Sequence, residues 1–195
     1  MRDGFLMVLS GPSGVGKGTV CEALLKDRKD IKYSISATTR KKRPAEVDGE
    51  NYYFLSLDEF KKRAKRDEFI EHAKVHGNFY GTPRSYVEEN IDKGNIVILE
   101  IDVQGALQVK KNFPGAVYIF LLPPDLKELR NRIEKRATED EDTINLRMHN
   151  AQKELSFIDK YDYAVINDKV EDTVHKIECI IEAEKLKATY LGEVK

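Results

Sequence analysis

The sequence predicts an α/β fold in which a mostly parallel β-sheet is flanked by helices on both faces. Short apolar runs alternate with longer helical segments along most of the 195 residues, as expected when crossover helices connect parallel strands. A glycine-rich segment also separates the first apolar run from the first helical segment, which is typical of a phosphate-binding strand–loop–helix unit. Together these patterns favour one α/β core.

The predicted core elements follow in chain order. Phe5–Leu9 is a short apolar run that ends at Ser10, so it predicts a buried strand, and a helix is expected from about 16 to 28. Asn95–Ile101 predicts a central strand because it is apolar on both faces. Thr82 and Pro83 predict a helix start, with threonine as the N-cap. The other core elements are strands at 33–38, 116–122 and 164–166, and helices at 82–93, 104–112 and 170–186.

Two segments interrupt this alternation. Residues 34–82 are mixed and polar, with strands expected at 52–55 and 69–75 and a helix at 58–66 that Asp58 would cap. Residues 125–158 contain two charged helices joined by an acidic loop, and Asp125 with Glu128 matches a capping box. Inserted segments of this kind often close over ligands. We expect a single domain with a core (1–33, 83–124 and 159–195), an inserted lobe (34–82) and a lid (125–158).

Composition excludes several classes of protein. Hydrophobic residues make up 41% and charged residues 34%, which is typical of a globular chain and not of a disordered one. The net charge of -1 argues against a nucleic-acid or membrane partner. No apolar run has the length of a membrane span, which needs about 18 residues, and the first ten residues do not resemble a signal peptide. The two cysteines, Cys21 and Cys179, are expected to be reduced thiols, so we expect a cytoplasmic protein.

The glycine-rich segment Gly11–Lys17 matches the phosphate-loop pattern G-x-x-x-x-G-K. Its glycines allow left-handed backbone and close approach to phosphates, its amides form an anion-binding nest, and Lys17 adds a cation for the β- and γ-phosphates. The alternative is a merely structural turn, but a buried strand before it and a helix after it favour an ATP site. The residues expected to bind ATP here are Gly11, Pro12, Ser13, Gly14, Val15, Gly16, Lys17, Gly18 and Thr19.

The position after Lys17 departs from the usual pattern. Gly18 stands where a magnesium-binding hydroxyl is common, and the hydroxyl comes one place later at Thr19. We therefore expect Mg²⁺ to be held by ATP phosphates and water, with Thr19 and Glu100 as candidate ligands. Glu100 and Asp102 lie at the end of a predicted strand, where ligands of open α/β sheets bind.

A basic cluster occupies Arg40–Arg43, between a predicted strand and a glycine turn. It can be a solvated surface loop, or it can be a phosphate clamp, for which the planar fork of arginine is well suited. The residues around it decide between the two. Several motifs occur in order along the chain: Gly11–Thr19, S-x-S-x-T-T-R-x-x-R-P-x-E-x-x-G-x-x-Y-x-F from Ser34, Phe69–Glu71, Gly77–Gly81, Glu100–Gly105, the arginines 132, 136 and 147, and Asn167-Asp168. By these motifs the chain resembles the guanylate kinase family over roughly residues 4–186.

The resemblance implies the roles of the acceptor site. Arg40, Arg43, Tyr52 and Tyr80 would hold the phosphate of GMP. Guanine would be read by Ser36, Glu71, Thr82 and Asp102. The chemistry of guanine independently supports Glu71, because a carboxylate accepts from both the N1–H and the exocyclic amine, whereas adenine presents an acceptor at N1. A buried acceptor left without a partner costs about 1–3 kcal/mol.

Arg132, Arg136 and Arg147 lie on the two charged helices. They can form a salt-bridged surface with the neighbouring acids, or, as the resemblance implies, a lid that meets the ATP phosphates. Phosphoryl transfer needs alignment and charge neutralisation, and we expect Lys17, Arg40, Arg136 and Arg147 to supply both. Arg132 and Asn167 would complete the ATP site, with Asn167 as an adenine contact.

The predicted function is transfer of the γ-phosphate of ATP to GMP, and to dGMP, giving ADP and a diphosphate. Two alternatives stay open at the level of sequence. One is a non-catalytic interaction module on the same fold, which an intact phosphate loop argues against. The other is a monophosphate kinase for AMP or a pyrimidine nucleotide. A monomer or a homodimer is expected, with no nucleic acid or membrane partner.

Overall fold

The structure is a computed structural model that describes residues 4–75, 77–136 and 140–188, without the side chains of Asp27, Val75 and Arg136. Its core is a five-stranded sheet of order β2-β7-β1-β8-β9, in which every pairing is parallel. The predicted fold class is confirmed. The strands of this sheet are β1 Phe5–Ser10, β2 Ile31–Tyr33, β7 Ile96–Glu100, β8 Val117–Leu122 and β9 Tyr163–Ile166.

The central strand β1 is buried along its whole length, because helices cover both faces of the sheet. On one face, residues of β1 pack with α1 and α7 through side chains such as Leu24 and Ile177. On the other face, Leu6 and Val8 of β1 pack with α3 and α4. The helices of the core are α1 Lys17–Asp27, α3 Arg84–Asp92, α4 Val103–Asn112 and α7 Val170–Lys185.

Strand register determines which chain segments meet at the carboxyl edge of this sheet. Leu9 of β1 pairs with Glu100 of β7, and Ser10 pairs with Phe120 of β8. The loop that follows β1 therefore lies beside Glu100, as expected for the ligand-binding edge of an α/β sheet.

A second sheet of order β4-β3-β6-β5 lies in the segment between β2 and α3. Phe60 of α2 packs against Ala37 and Phe69 in a small core of its own. This sheet falls within the predicted lobe, although the division of the chain into core, lobe and lid stays a prediction. Its elements are β3 Ala37–Thr38, β4 Tyr53–Phe54, α2 Leu57–Lys65, β5 Phe69–Val75 and β6 Asn78–Pro83.

The two charged helices, α5 Leu126–Arg136 and α6 Glu141–Leu155, pack against each other between β8 and β9. Leu129 and Ile133 of α5 meet Ile144 of α6 in a third buried cluster. The carboxylate of Asp125 accepts from the Glu128 amide at 2.7 Å, which confirms Asp125 as the N-cap. The Glu128 side chain, expected to complete a capping box, accepts instead from Arg132 and Asn131. A short 3₁₀ turn, Ile158–Lys160, leads into β9.

Three local predictions were wrong in detail. The strand expected at 33–38 is two strands, because the Ser34 amide donates to Ile98 in the core sheet while Ala37 pairs with Gly81 in the second sheet. Helix α2 is capped by Ser56, not by Asp58. Thr82 does not cap α3, because it lies in β6 and its hydroxyl donates to Glu71. Among the helices described, none is long and apolar enough to cross a membrane.

Candidate functional site

The phosphate loop joins β1 to α1 and depends on left-handed glycines. Gly11, Gly14 and Gly16 have φ angles of 145°, 86° and 98°, which side chains with a Cβ rarely adopt. A Cβ on Gly11 would also lie 2.5 Å from the Leu121 carbonyl oxygen. Helix α1 begins with no side-chain cap and no acid in its first turn. Its free amides and positive dipole end are therefore available to an anion.

Lys17 is folded onto this loop. Its Nζ donates to the carbonyl oxygen of Gly11 at 2.6 Å and of Pro12 at 3.3 Å. Burial lowers the pKa of Lys17, while Glu100, Glu154 and Asp102 oppose that shift. The ammonium group thus lies among loop carbonyls and carboxylates at the edge where a phosphate would enter.

Helix α6 contacts the loop at Ser13. The Ser13 amide donates to Glu154 at 3.2 Å, and Arg147 donates to the Ser13 hydroxyl at 3.0 Å. Arg147 and Glu154 are seven residues apart, so they share one face of α6. The structure therefore brings the predicted Arg147 to the phosphate loop, whereas the sequence analysis missed Glu154. The i, i+7 spacing of the two residues was the available signal.

Glu100 lies above the first turn of α1. A Cβ on Gly18 would be 3.6 Å from both carboxylate oxygens of Glu100, so the glycine leaves room for this acid. Thr19 is exposed and lines a neighbouring cavity. Within the described parts of the chain, no group of three or more His, Cys, Asp or Glu side chains is arranged as a metal site.

That cavity, of about 270 Å³, lies beside the phosphate loop and is lined by Gly14, Gly16, Thr19, Arg132, Lys135, Asn167, Asp168 and Val170. Arg132 pairs with Glu128 at 2.8 Å and donates to the carbonyl oxygens of Val15 and Asn167 at 3.3 and 3.0 Å. The two predicted ATP-site residues, Arg132 and Asn167, therefore meet at one cavity.

The side chain of Asn167 is already engaged. Its Nδ2 donates to the Val15 carbonyl at 2.8 Å, and its Oδ1 accepts from the Thr173 hydroxyl at 3.0 Å. Asn167 is 3% exposed. In this structure, the side chain predicted to contact adenine fixes the phosphate loop instead.

The basic cluster converges on Arg40 in the second sheet. Glu46 accepts from both terminal nitrogens of Arg40, at 3.0 and 2.7 Å, and from the Arg43 amide at 2.8 Å. The guanidinium carbon of Arg40 lies 5.4 Å from the centre of the Tyr52 ring, and Tyr52 and Tyr80 are 6.0 Å apart. Four predicted phosphate-binding residues are thus neighbours.

Glu46 has a positioning role that the sequence analysis did not assign. The hydrogen bond from Arg40 lowers the pKa of Glu46 to about 2, so the carboxylate stays charged at neutral pH. Its place in the R-x-x-R-P-x-E run of the sequence was the available signal.

Glu71 and Thr82 form a buried pair nearby. The Thr82 hydroxyl donates to Glu71 Oε1 at 2.7 Å, and Glu71 is 6% exposed. Burial raises the pKa of Glu71 to about 7, and the Asp102 carboxylate acts in the same direction. A second oxygen, Oε2, lies 3.5 Å from where a Cβ of Gly105 would be, so it faces the amino end of α4.

The charge of Asp102 acts on both the guanine side of the site and the phosphate loop. Asp102 is the N-cap of α4, with Oδ1 accepting from the Gly105 amide at 2.8 Å, and its charge acts on both Glu71 and Lys17.

Ser36 is half-buried, and its carbonyl accepts from the Tyr53 amide at 3.0 Å. The predicted catalytic side chain of Arg136 lies outside the described part of the chain.

The charge of Glu100 acts on groups in both parts of the site. Burial raises the pKa of Tyr52, and Tyr80 and Glu100 act in the same direction, while Glu100 opposes the lowering of the Lys17 pKa. The Glu100 carboxylate itself lies beside the first turn of α1.

Known proteins are similar to this chain over most of its length. The family model for guanylate kinase matches residues 4–184. Similar proteins include the guanylate kinase of Caldanaerobacter subterraneus subsp. tengcongensis, which is 55% identical over 94% of this chain and 89% of that protein. The guanylate kinase of Clostridium perfringens strain 13 is 55% identical over 97% of this chain and 88% of that protein.

Solved structures give the same result. The crystal structure of guanylate kinase from Anaplasma phagocytophilum has a TM-score of 0.77 and 38% identity, covering 96% of this chain and 89% of that one. A shikimate kinase from Bacteroides thetaiotaomicron, with a TM-score of 0.50 and 14% identity over 91% of this chain and 98% of that one, shares the fold. A family match over nearly the whole chain and identities above one half lead to one conclusion: the chain belongs to the guanylate kinase family.

Proposed function

We propose that this guanylate kinase transfers the γ-phosphate of ATP to GMP at the carboxyl edge of the five-stranded sheet, between the phosphate loop and the Arg40 cluster. The observation that carries the proposal is that two groups of side chains suited to anions are built on this chain, one with Lys17 on a loop of left-handed glycines and one with Arg40 beside Tyr52. One group belongs to a nest built for phosphates and the other to an arginine–tyrosine cluster. Two anionic tails bound there would meet in a basic environment.

On the donor side, the amides of Gly11–Thr19 and the ammonium of Lys17 would hold the ATP phosphates. Lys17 would exchange its bonds to the loop carbonyls for bonds to phosphate oxygens. Arg132 and Asn167 would form the wall of the adenine cavity, with the side-chain amide of Asn167 fixing the phosphate loop.

The residues near Gly18 fit a magnesium ion held mainly by phosphate oxygens and water. The close approach of Glu100 to Gly18 puts a carboxylate where a hydroxyl ligand is missing, and carboxylates bind Mg²⁺ directly or through water. We propose Glu100 as the nearest protein group and Thr19 as a second candidate. When bound, Mg²⁺ neutralises charge on the β- and γ-phosphates.

On the acceptor side, Arg40, Arg43, Tyr52 and Tyr80 would bind the GMP phosphate. Glu46 holds Arg40 by two parallel hydrogen bonds, which fixes the direction of its guanidinium group. Ser36, Glu71, Thr82 and Asp102 would read the guanine edges. Since every reader proposed for the nucleoside addresses the base, dGMP should be accepted as well.

The chemical step needs no protein nucleophile. An oxygen of the GMP phosphate forms a bond to the γ-phosphorus while the bond to the β–γ bridging oxygen breaks, which gives GDP and ADP. Lys17, Arg40, Arg136 and Arg147 would neutralise the charge that develops. Arg147 already contacts the phosphate loop through Ser13, so it needs little movement to reach a bound triphosphate.

A coupled assay of ADP release across nucleoside monophosphates tests this function. We expect turnover with GMP and dGMP and almost none with AMP, CMP or UMP. Preference for AMP or a pyrimidine nucleotide would assign a different acceptor. Absence of ADP release with every acceptor would instead favour a non-catalytic module.

The raised pKa of Glu71 predicts a pH-dependent affinity for guanine. Only the ionised carboxylate accepts from both N1–H and the amine, and in the free protein it gains a proton as pH falls through about 7. Affinity should therefore be full at pH 8 and fall about tenfold for each pH unit below 7. Calorimetry with guanosine measures this without the phosphate of GMP, which itself titrates near pH 6. The pH range from about 5.5 to about 8 covers roughly one unit or more on either side of 7. An affinity for guanosine that stays constant over this range would contradict the role of Glu71.

Replacing Glu46 with alanine should raise the KM for GMP about tenfold, because Arg40 loses both acceptors that orient it. The KM for ATP should not change. Glu50→Ala is the matched control, since Glu50 is an exposed acid of the same loop. Steady-state kinetics with each substrate varied in turn give both constants. Equal effects of the two substitutions would mean that loop charge alone matters.

A further inference from the structure

Tyr33 lies where the chain passes from the core sheet to the second sheet. It is the last residue of β2, the edge strand of the core sheet, and the chain leaves for the second sheet directly after it. Its carbonyl oxygen accepts from the hydroxyl of Tyr86 at 3.1 Å. Tyr86 lies in α3, where the chain has just returned from the second sheet. One hydrogen bond therefore ties the outgoing and the returning segments together.

The hydroxyl of Tyr33 reaches the catalytic edge. It donates to Glu100 Oε2 at 3.2 Å. Tyr33 pairs with Ile98 in the parallel register, so Glu100, two residues further on, is its diagonal neighbour on the same face, within reach of an aromatic side chain. A tyrosine hydroxyl is protonated at neutral pH and the carboxylate is an acceptor, so the tyrosine is the donor in this hydrogen bond.

This contact matters because of where Glu100 lies. Its carboxylate is 3.6 Å from the position of a Gly18 Cβ and acts on Lys17 more strongly than any other charged group. A glutamate side chain has rotatable bonds that lose freedom only when something holds it. Tyr33 holds one carboxylate oxygen. An aspartate at this position would be shorter by about 1.5 Å, one carbon–carbon bond, and would not reach the tyrosine.

We propose that Tyr33 is a positioning residue that holds the Glu100 carboxylate over the amino end of α1. The proposal rests on the role proposed above for Glu100 near the ATP phosphates. Through the Tyr86 bond, the orientation of the chain segments entering and leaving the second sheet is linked to the same carboxylate. Tyr33 itself touches no substrate, so its effect must pass through Glu100.

A double-mutant cycle tests this dependence. Tyr33→Phe removes only the hydroxyl, and we expect kcat to fall about fivefold while the KM for GMP is unchanged, since the guanine readers lie elsewhere. In a Glu100→Ala background, which has no side-chain acceptor for the hydroxyl, Tyr33→Phe should change kcat less than about twofold. Equal loss in both backgrounds, or unchanged kcat in the wild-type background, would overturn the proposal.

The chain offers a matched control on the opposite edge of the same sheet. Tyr163 in β9 also donates to a glutamate, Glu184, at 2.5 Å, far in the sheet order from β2. Tyr163→Phe should lower Tm without changing kcat. If Tyr33→Phe behaves in the same way, its hydrogen bond is structural only and the inference is wrong.

A second readout does not depend on turnover. Calorimetry gives the gain in ATP affinity when Mg²⁺ is added to the metal-free titration. We expect this gain to be about fivefold smaller in Tyr33→Phe than in the wild type and unchanged in Tyr163→Phe. An unchanged gain would count against positioning by Tyr33, even if the chain failed to phosphorylate GMP. Failure of the wild type to phosphorylate GMP would separately reject the proposed function.

Discussion

Replacing Lys17 with methionine should lower kcat by about a thousandfold, which is the upper range for removing one preorganised electrostatic contact. Lys17 is the cation of the phosphate loop, and the nearby carboxylates of Glu100, Glu154 and Asp102 cannot neutralise a transferring phosphoryl group. Methionine has a similar length and volume but no charge. The substitution therefore separates charge from shape.

The fold should survive this change. Burial lowers the pKa of Lys17, so the folded protein pays a desolvation cost for the ammonium, and only two loop carbonyls lose a donor. We expect Tm to stay within a few degrees of the wild type. Lys26→Met, at the exposed end of the same helix, controls for the loss of one positive charge. Turnover within tenfold of the wild type (about 1.4 kcal/mol in barrier) would remove Lys17 from the mechanism.

Sequence reasoning was most successful where structure is determined locally. The loop Gly11–Lys17 needs left-handed glycines, and a strand before it and a helix after it follow from periodicity alone. The strand Ile96–Glu100 was equally clear because both of its faces are apolar and buried. In these segments, backbone conformation and burial both follow from neighbouring residues.

Sequence reasoning was least successful where residues far apart in the chain determine the local structure. Threonine is a common N-cap residue, but the hydroxyl of Thr82 donates its hydrogen bond to the buried Glu71. The break after Tyr33 arises because Ser34 and Ala37 pair with strands of different sheets. A periodicity of two residues cannot show that a strand changes its partner sheet.

The same limit applies to the positioning residues. Glu154 lies 141 positions from Ser13 in the chain, and Tyr33 lies 67 positions from Glu100. Their contacts depend on how α6 and β2 are placed in three dimensions. The groups expected to bind substrate could be proposed from motifs, whereas the contacts of Glu154 with Ser13 and of Tyr33 with Glu100 became visible only in the fold.

Replacing Glu71 with glutamine should lower kcat/KM for GMP by about a hundredfold, since one hydrogen bond to a charged acceptor, worth about 1.5–3 kcal/mol, becomes a donor–donor contact and the other acceptor loses its charge. The affinity for ATP should be unchanged, because Glu71 lies in the second sheet. Glu89→Gln, an exposed acid of α3, is the control. Equal weakening of ATP and GMP binding would contradict the assigned role.

The same substitution should stabilise the fold at pH 8. A carboxyl whose pKa is raised by burial destabilises the folded protein above that pKa, and the penalty disappears as pH falls and the proton is regained. Glutamine has no charge to bury, so we expect a higher Tm than the wild type at pH 8 and a smaller difference at pH 5.5, about one unit or more below the Glu71 pKa of about 7. Loss of acceptor binding with gain of stability would show that the buried charge serves recognition.

The geometry around Glu71 also predicts the direction of the specificity change. Thr82 donates to Oε1, so in Glu71→Gln the amide oxygen should keep that place and the NH₂ group should take the place of Oε2. This group would then meet guanine N1–H donor to donor, whereas the N1 acceptor of adenine would find a partner. Weaker GMP binding alone lowers the ratio of GMP turnover to AMP turnover. We expect a larger fall in this ratio, because the variant also gains a hydrogen bond that only adenine can accept. If AMP turnover by the variant does not exceed AMP turnover by the wild type, the orientation of the carboxylate inferred from Thr82 is wrong.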